Sequence, residues 1–484
     1  MLSFTGGTIF NAVTAPSGNK DLVAISGTAA TFAPTASVAG VSAFSIAPNA
    51  RLTLQATPTQ IASINAGTIA LGGTLNVTLQ GNLFGFGASH TFTNVFVADP
   101  PLSGSFASVT TPISIFSATV SPDATTSNAV DVTVALDRAN LAASAQDLTQ
   151  DGRLGLDAPR VLTKAVQDRL VANGGMLGEW APRGAAPALS SGPASAPSFS
   201  FGNANIWVRG FDQFGTATAS AASASVGYDI NRAAPLIAGI DWRLDNGFVA
   251  GIAATYVATS AKFKDGASTN VNSYQGAAYA GWAGGPWYVS GSLVASFNQF
   301  GTSRLLTLFG LSGDATSSPS GQSYQGHAEA GHHWLLPVGG ANVSVAPYAA
   351  LDYVHAQVDG FSETGGFGAL AVNSTDNNSF QTTLGLRLAS RLTLATYGSL
   401  IPELRLGWSH EFGDASQKIT AALVGVPGSD FSAAGTLFGR DAALIGAGMS
   451  MEISPDAKVF VDYDGRLGSR LQEHSVSGGL KVRF

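Results

Sequence analysis

The C-terminal part of the chain alternates apolar and polar side chains over long stretches. In 472–484, His474, Val476, Gly478, Leu480, Val482 and Phe484 share one parity, and Glu473, Ser475, Ser477, Gly479, Lys481 and Arg483 the other. In 402–412, Pro402, Leu404, Leu406, Trp408, His410 and Phe412 alternate with Glu403, Arg405, Gly407, Ser409 and Glu411. Stretches 287–297 and 380–388 behave alike. A period of two is the signature of a strand with one apolar and one polar face. These strands run ten residues or more, against about five or six in ordinary sheets and about 9–11 for a tilted membrane span. Aromatics recur near strand ends on the apolar parity: Trp242, Trp282, Trp287, Trp334, Trp408 and Phe412. That is the pattern of interfacial girdles.

Strand starts near 205, 235, 247, 272, 287, 323, 343, 379, 400, 441, 457 and 472 make twelve. Short links (Leu244–Asn246, Ala283–Gly285, Ser454–Asp456) alternate with long ones (Gly215–Ala234, Ser260–Asn272, Asn298–Gln322, Gly360–Asn378, Gly413–Arg440). An even count with short turns on one side and long loops on the other predicts an all-β, 12-stranded antiparallel transmembrane β-barrel over 205–484.

Upstream the period changes. Val161, Leu162, Ala165, Val166 and Leu170 fall at helical spacing, with Arg160, Lys164, Gln167, Asp168 and Arg169 on the other side. Asp157–Ala158–Pro159 reads as an N-cap with Pro in the first turn, and Gly174–Gly175 as a stop. One helix is predicted over about 158–173, within a 141–204 segment whose end, Ala181–Ser200, is a Pro/Ala/Ser linker. Residues 1–140 hold short β-type runs, among them Arg51–Ala56, Thr74–Leu79, Thr91–Val97 and Val130–Leu136. They suit a few rungs of a β-solenoid, with a small β-sandwich as the alternative.

Composition sharpens this picture. Charged residues are 11% of the 484, with 24 Lys+Arg, 31 Asp+Glu and a net charge of −7, against about 25% charged in an ordinary domain. A nucleic-acid partner is not expected without a basic excess. With no Cys, disulfides and thiolate sites are excluded. No run reaches the roughly 18 apolar residues of a helical span, and MLSFTGGTIFNAV lacks the basic and apolar regions of a signal peptide.

A twelve-strand lumen lies between the filled interior of about eight strands and the open channel of 16–18. It admits about one helix. The inward parity carries Arg387, Glu403, Arg405, Glu452, Asp462, Arg466, Lys481 and Arg483, a lining suited to the polar face of the helix. The expectation is an N-terminal α-helix in the pore, tying a short β-solenoid-like segment to the barrel.

This order resembles that of the monomeric autotransporters of type V secretion. The phrases "AGIDWRLDNGFVAGIAATY" at 238–256, "APYAALDYV" at 346–354, "IPELRLGWSHEF" at 401–412 and "VSGGLKVRF" at 476–484 carry the resemblance. "FTNVFVADPPLSGSFASVT" at 92–110 is similar to the last passenger rungs before the pore helix. The resemblance implies a passenger remnant at 1–140 with a junction or autochaperone-like segment at 92–140. It implies insertion of a monomeric barrel in the bacterial outer membrane among lipid and lipopolysaccharide. Periplasmic chaperones and the barrel-assembly machinery are the implied partners, with Val482 and Phe484 in the assembly signal, and the passenger segment lies at the cell surface. The very short passenger and absent signal peptide look like the C-terminal part of a longer protein.

Other chemistry is sparse. His327 and His333 share a parity and His332 opposes them, which suits scattered pore and girdle histidines better than a metal site. Glu403, Arg405 and Glu411 read as paired lumen charges rather than acid–base catalysts. GxSxG, HExxH and P-loop motifs are missing. No cofactor and no enzyme activity are expected. The leading function is an autotransporter translocator. A surface adhesin and a diffusion porin with a small surface domain are the alternatives.

Overall fold

The computed structural model describes residues 2–4, 7–9, 21–28, 30–99, 101–171, 204–219, 226–244, 247–306, 313–338, 341–394, 398–414, 416–454 and 457–483. Twelve long strands form the wall: β1 (Ala204–Ala217), β2 (Tyr228–Arg243), β3 (Phe248–Phe263), β4 (Ser268–Gly284), β5 (Trp287–Leu305), β6 (Ser320–His332), β7 (Ala341–Val358), β8 (Thr375–Ser390), β9 (Gly398–Glu411), β10 (Asp441–Ser454), β11 (Ala457–Gly468) and β12 (Leu471–Arg483). Each pairs antiparallel with its neighbours, and β1 pairs with β12 from Asn205↔Arg483 to Ala217↔Leu471. The barrel is closed, so it has no free edge.

Its burial is inverted relative to a water-soluble domain. Leu293, Leu384 and Leu404 are more than half exposed on the outer face, while Ser290, Gln325, Glu329 and Glu403 are buried inside. β5 alternates exposed and buried residues along most of its length. A bilayer outside and a packed polar lumen inside produce this pattern.

A bulge in β2 breaks the alternation. In β2, Ala233↔Ala258 is followed by Ile237↔Thr255, so β2 carries one extra residue beside Pro235. Pro cannot donate to the ladder, and a bulge is where a sheet accommodates it. The bulge shifts parity: Ile230, Arg232 and Ala234 are buried before it, Ile237 and Asp241 after it.

Several loops differ from the expectation. The long Ser260–Asn272 link is a turn, because β3 runs to Phe263 and β4 starts at Ser268. β11 and β12 are separated only by Ser469 and Arg470. β2 starts at Tyr228 rather than near 235. Thr, Ser and Asn in these stretches read as loop, yet they continue a ladder whose partner strand is already in place. The links between β7 and β8 and between β9 and β10 are long and form a sheet of their own, ordered Phe361–Ser362, Leu370–Val372, Lys418–Leu423 and Phe431–Ala434.

Residues before the barrel form two stacks of parallel strands. One runs through Leu22–Ile25, Val38–Ile46 and Ile64–Leu71; the other through Ala30–Phe32, Arg51–Thr57 and Thr74–Leu79. Leu52 stacks on Leu75 and Leu54 on Val77, all fully buried. This is a short β-solenoid, in which each coil buries its apolar residues against the next. Antiparallel strands Ser89–Ala98, Phe116–Pro122 and Ala129–Leu136 finish it.

Three helices follow: α1 (Arg138–Ser144), α2 (Gln150–Asp157) and α3 (Arg160–Leu170). α1 was not expected; Asp137 caps it by accepting from the Ala139 and Asn140 amides. The predicted start near 158 is corrected, since helical structure inside the barrel begins at Gln150. Ala158 and Pro159 keep right-handed helical backbone angles, so Asp157 closes α2 instead of capping α3. The expected Gly174–Gly175 stop and the Ala181–Ser200 linker lie outside the described residues.

Inward rings cover glycines of the neighbouring strand: Trp207 over Gly239, Tyr279 over Gly251, Tyr288 over Gly331, Tyr348 over Gly385 and Phe460 over Gly479. A Cβ at Gly385 would stand 2.3 Å from the Tyr348 Cζ. Overpacking of this kind costs about 1–3 kcal/mol. Gly385→Val therefore lowers the temperature at which the folded barrel loses its compact electrophoretic migration. Gly276→Val, whose Cβ would meet nothing within 4 Å, leaves it unchanged.

Candidate functional site: the helix-filled lumen

α2 and α3 run through the lumen, and their sequence explains the fit. Gly152 and Gly155 let the backbone approach Asn377 and Ala356 of the wall. Pro159 has no N–H, so the carbonyl four residues earlier loses its helical donor. That carbonyl is Gly155, and Ser323 Oγ donates to it at 2.7 Å. Gln275 Nε2 donates to the Ala158 carbonyl at 2.6 Å. The wall thus repairs the break between the helices. The apolar side of α3 (Val161, Leu162, Ala165, Val166, Leu170) packs on Trp207, Ile237, Val249, Tyr279 and Tyr288.

Among the described residues, four ion pairs join the helices to the wall: Asp157–Arg232 at 3.0 Å, Lys164–Asp464 at 2.8 Å, Asp168–Arg209 at 2.6 Å and Arg169–Asp241 at 2.7 Å. Polar bonds extend the set. Arg160 donates to Ser379 Oγ at 2.7 Å, Ser290 Oγ to Gln167 Oε1 at 3.1 Å, and Thr269 Oγ1 to Asp151 Oδ1 at 3.2 Å. Asp241 also accepts from the Tyr279 hydroxyl at 3.0 Å, which accepts from Trp207 Nε1 at 2.8 Å. A buried charge is tolerated only with such partners.

The sequence-predicted lining residues are placed as follows. Arg387 pairs with Glu329 at 2.6 Å and sits 3.9 Å above the Tyr348 ring. Arg405 binds Glu403 at 3.0 Å and both Asp462 and Asp464 at 3.1 Å. Glu452 pairs with Arg391 at 2.7 Å, away from this cluster. Arg466 donates to Gln381 at 3.2 Å. Lys481 is partly buried, in register with Trp207 and Lys458. Val482 is partly buried opposite Ile206. The Arg483 backbone pairs with Asn205; its side chain and Phe484 lie outside the described residues. Trp242 and Trp282 are half-buried, and Trp287 and Trp334 exposed, at the short-turn end; Trp408 and Phe412 are exposed at the long-loop end.

Sequence reading missed Arg209, Arg232, Asp241, Glu329 and Asp464 as helix or lining partners. For Arg209, Glu329 and Asp464 the signal was present as inward parity. For Asp241 it was hidden by the β2 bulge. His327 pairs with Asp352 at 2.8 Å, and His332 lies between the Trp287 and Trp334 rings.

Beside the helix remains a space of about 280 Å³. Six Lys or Arg and six carboxylates line it, so its wall is balanced in charge. At the long-loop mouth, Arg304 donates to Glu363 (Nε, 3.2 Å), to the Ser144 carbonyl at 3.2 Å and to the Gly368 carbonyl at 3.0 Å. Burial pushes the nearby Asp147 carboxyl up to about 7, with Arg304 opposing the shift and Asp265 and Glu363 adding to it.

A closed twelve-strand barrel with lipid-facing apolar bands and a helix held in its lumen defines an outer-membrane protein whose pore is occupied by its own chain. Residues 206–464 match the family model described as "Autotransporter beta-domain". The chain belongs to that family: its barrel is an outer-membrane β-domain of the kind that supports passenger secretion. The β-domain itself is not catalytic. The chain is 30% identical over 156 residues to an "Extracellular serine protease" of Serratia marcescens, covering 32% of this chain and 14% of that protein. It is 24% identical over 261 residues to "Esterase EstA" of Pseudomonas aeruginosa, covering 51% and 38%. The chain thus spans well under half the length of these relatives. Among solved structures it is similar to the translocator domain of the autotransporter NalP from Neisseria meningitidis, with a TM-score of 0.46 and 16% identity over 58% of this chain and 88% of that one. It is also similar to the β domain of the Bordetella autotransporter BrkA, with a TM-score of 0.43 and 19% identity over 58% and 100%.

Asp168 holds both Lys164 at 2.9 Å and Arg209 at 2.6 Å. Asp168→Asn takes a carboxylate from the buried Arg209 and from the half-buried Lys164, which keeps Asp464, a loss on the order of 3 kcal/mol. Amide exchange over 160–170 then rises at least about tenfold while β5 stays protected. Unchanged exchange in α3 would show that the ion pairs do not hold it.

Proposed function

We propose that this chain is the membrane end of a surface-displayed autotransporter, with its passenger remnant in residues 1–140 and its pore segment in 141–204. Residues 205–484 are the barrel, and 92–140 serve as the junction that helps the passenger fold. The observation that carries the reading is the ion-paired helix. It connects a solenoid at the long-loop end to a barrel whose two ends lie at the short-turn end. A chain in this arrangement has passed through, or been assembled within, its own pore.

Roles follow for the predicted residues. Arg387, Glu403, Arg405, Glu452, Asp462, Arg466 and Lys481 line a polar path that lets a passenger chain pass without a buried unpaired charge. Arg160, Lys164, Gln167, Asp168 and Arg169 dock the helix that closes this path afterwards. Trp242, Trp282, Trp287, Trp334, Trp408 and Phe412 anchor the wall at the two interfaces with lipid and lipopolysaccharide. Val482 and Phe484, the last residues of their parity in the sequence, carry the signal with which the barrel-assembly machinery adds or releases a sheet edge; periplasmic chaperones deliver the chain. The barrel works as a monomer, since closure leaves no edge to share. Residues 1–140 act as a scaffold and not as an enzyme. A porin reading is disfavoured by the helix that fills the lumen.

Two arms test this in a Gram-negative host. An epitope tag after the exposed Thr59 in the turn between two solenoid strands is labelled on intact cells, and removal of Phe484 lowers folded barrel at least about tenfold. A tag reached only after lysis overturns surface display. Unchanged barrel levels without Phe484 overturn the assembly-signal role.

A further inference from the structure

The loop strands at the barrel mouth have an apolar face that cannot be left to water. Leu370, Ala421, Leu423 and Ala433 are buried, and they belong to the same continuous hydrophobic cluster as Leu83, Phe86, Phe116 and Leu141 of the solenoid end. The Phe367 ring meets Phe84 edge-on at 4.9 Å and stacks on Phe116 at 6.1 Å. Arg138 of α1 donates to the Asp430 and Gly428 carbonyls, both at 3.0 Å. The Arg304 contact to the Ser144 carbonyl fixes the chain where it leaves this core for the lumen.

Neither half is self-sufficient. The loop sheet consists of four strands of two to six residues, and such strands are marginal without a partner surface. A solenoid exposes the core of its last coil unless something covers it. Here the last coil is covered by the barrel's own loops.

We infer that the loop sheet formed by 361–372 and 418–434 is the C-terminal cap and folding template of the solenoid, so that the stub orders only on an assembled barrel. The recognised partner is this chain's own segment 83–148. Contact between the two halves adds a function to the barrel beyond passage of the chain: it supplies the surface on which the first coil closes. The inference rests on packing within the chain and not on export. Loss of export with an intact cap would overturn the translocation reading alone.

Hydrogen exchange on the full-length barrel tests it in Leu370→Asp, which puts a charge into the shared core, and in Phe367→Ala, which trims one ring at the junction. The readout is protection of Ile64–Leu79, solenoid strands that lie outside the mutated loops, with β5 and β6 as internal reference. Expected is exchange over 64–79 at least about tenfold faster in Leu370→Asp, and about threefold faster in Phe367→Ala, with the wall strands unchanged. Full protection of 64–79 while 418–423 opens would overturn the inference, because the solenoid would then stand without its cap. If Leu370→Asp does not assemble, Phe367→Ala decides by the same readout. In the reciprocal variant, Phe86→Ala, exchange over 418–423 rises; unchanged exchange there would overturn mutual dependence.

Discussion

The charges of a helix enclosed in a narrow barrel govern the rest of this structure. Arg153, Asp157, Lys164, Asp168 and Arg169 sit where little water screens them, so each needs an opposite charge at hydrogen-bonding distance. The wall meets that need from strands far apart in sequence: Arg209 on β1, Arg232 and Asp241 on β2, Asp464 on β11. Sequence, wall and helix are therefore coupled. Arg209, Arg232, Asp241 and Asp464 find their opposite charges on the helix, and the helix is held by the same pairs.

Two prolines show how local irregularity serves this coupling. Pro159 splits the lumen helix, and the released Gly155 carbonyl becomes an anchor for Ser323. Pro235 sits at the β2 bulge, which turns Asp241 from the lipid face to the lumen, within reach of Arg169. Without that extra residue the carboxylate would face hydrocarbon and Arg169 would lose its partner. In both cases an interrupted backbone places a polar group where the enclosed helix requires one. The mouth adds a second level of organisation, since the loops above the wall share a core with the solenoid that the helix tethers.

The wall was legible in sequence because the bilayer enforces strict alternation, as in β5 and β12. The apolar stripe of α3 was legible for a similar reason: it packs on one side of the lumen. α2 was not, because Asp151, Gly152, Gly155 and Asp157 are weak helix signals and their helicity is set by the surrounding wall. The pairing of Asp241 with Arg169 was hidden by the bulge, and the loop sheet by its non-local pairing: Leu370–Val372 finds Lys418–Leu423 across two barrel strands. Local pattern reports what a residue faces. It does not report which distant residue meets it there.

The central claim is that ion pairs hold α2 and α3 in the lumen and so close the pore. Single-channel conductance in a planar bilayer tests it most directly, comparing the full chain with a chain lacking residues 150–171. The account predicts a closed or briefly flickering barrel for the full chain and a steady open conductance once the helices are removed. Equal conductance in the two chains would contradict it, because the helices would then not be what fills the pore.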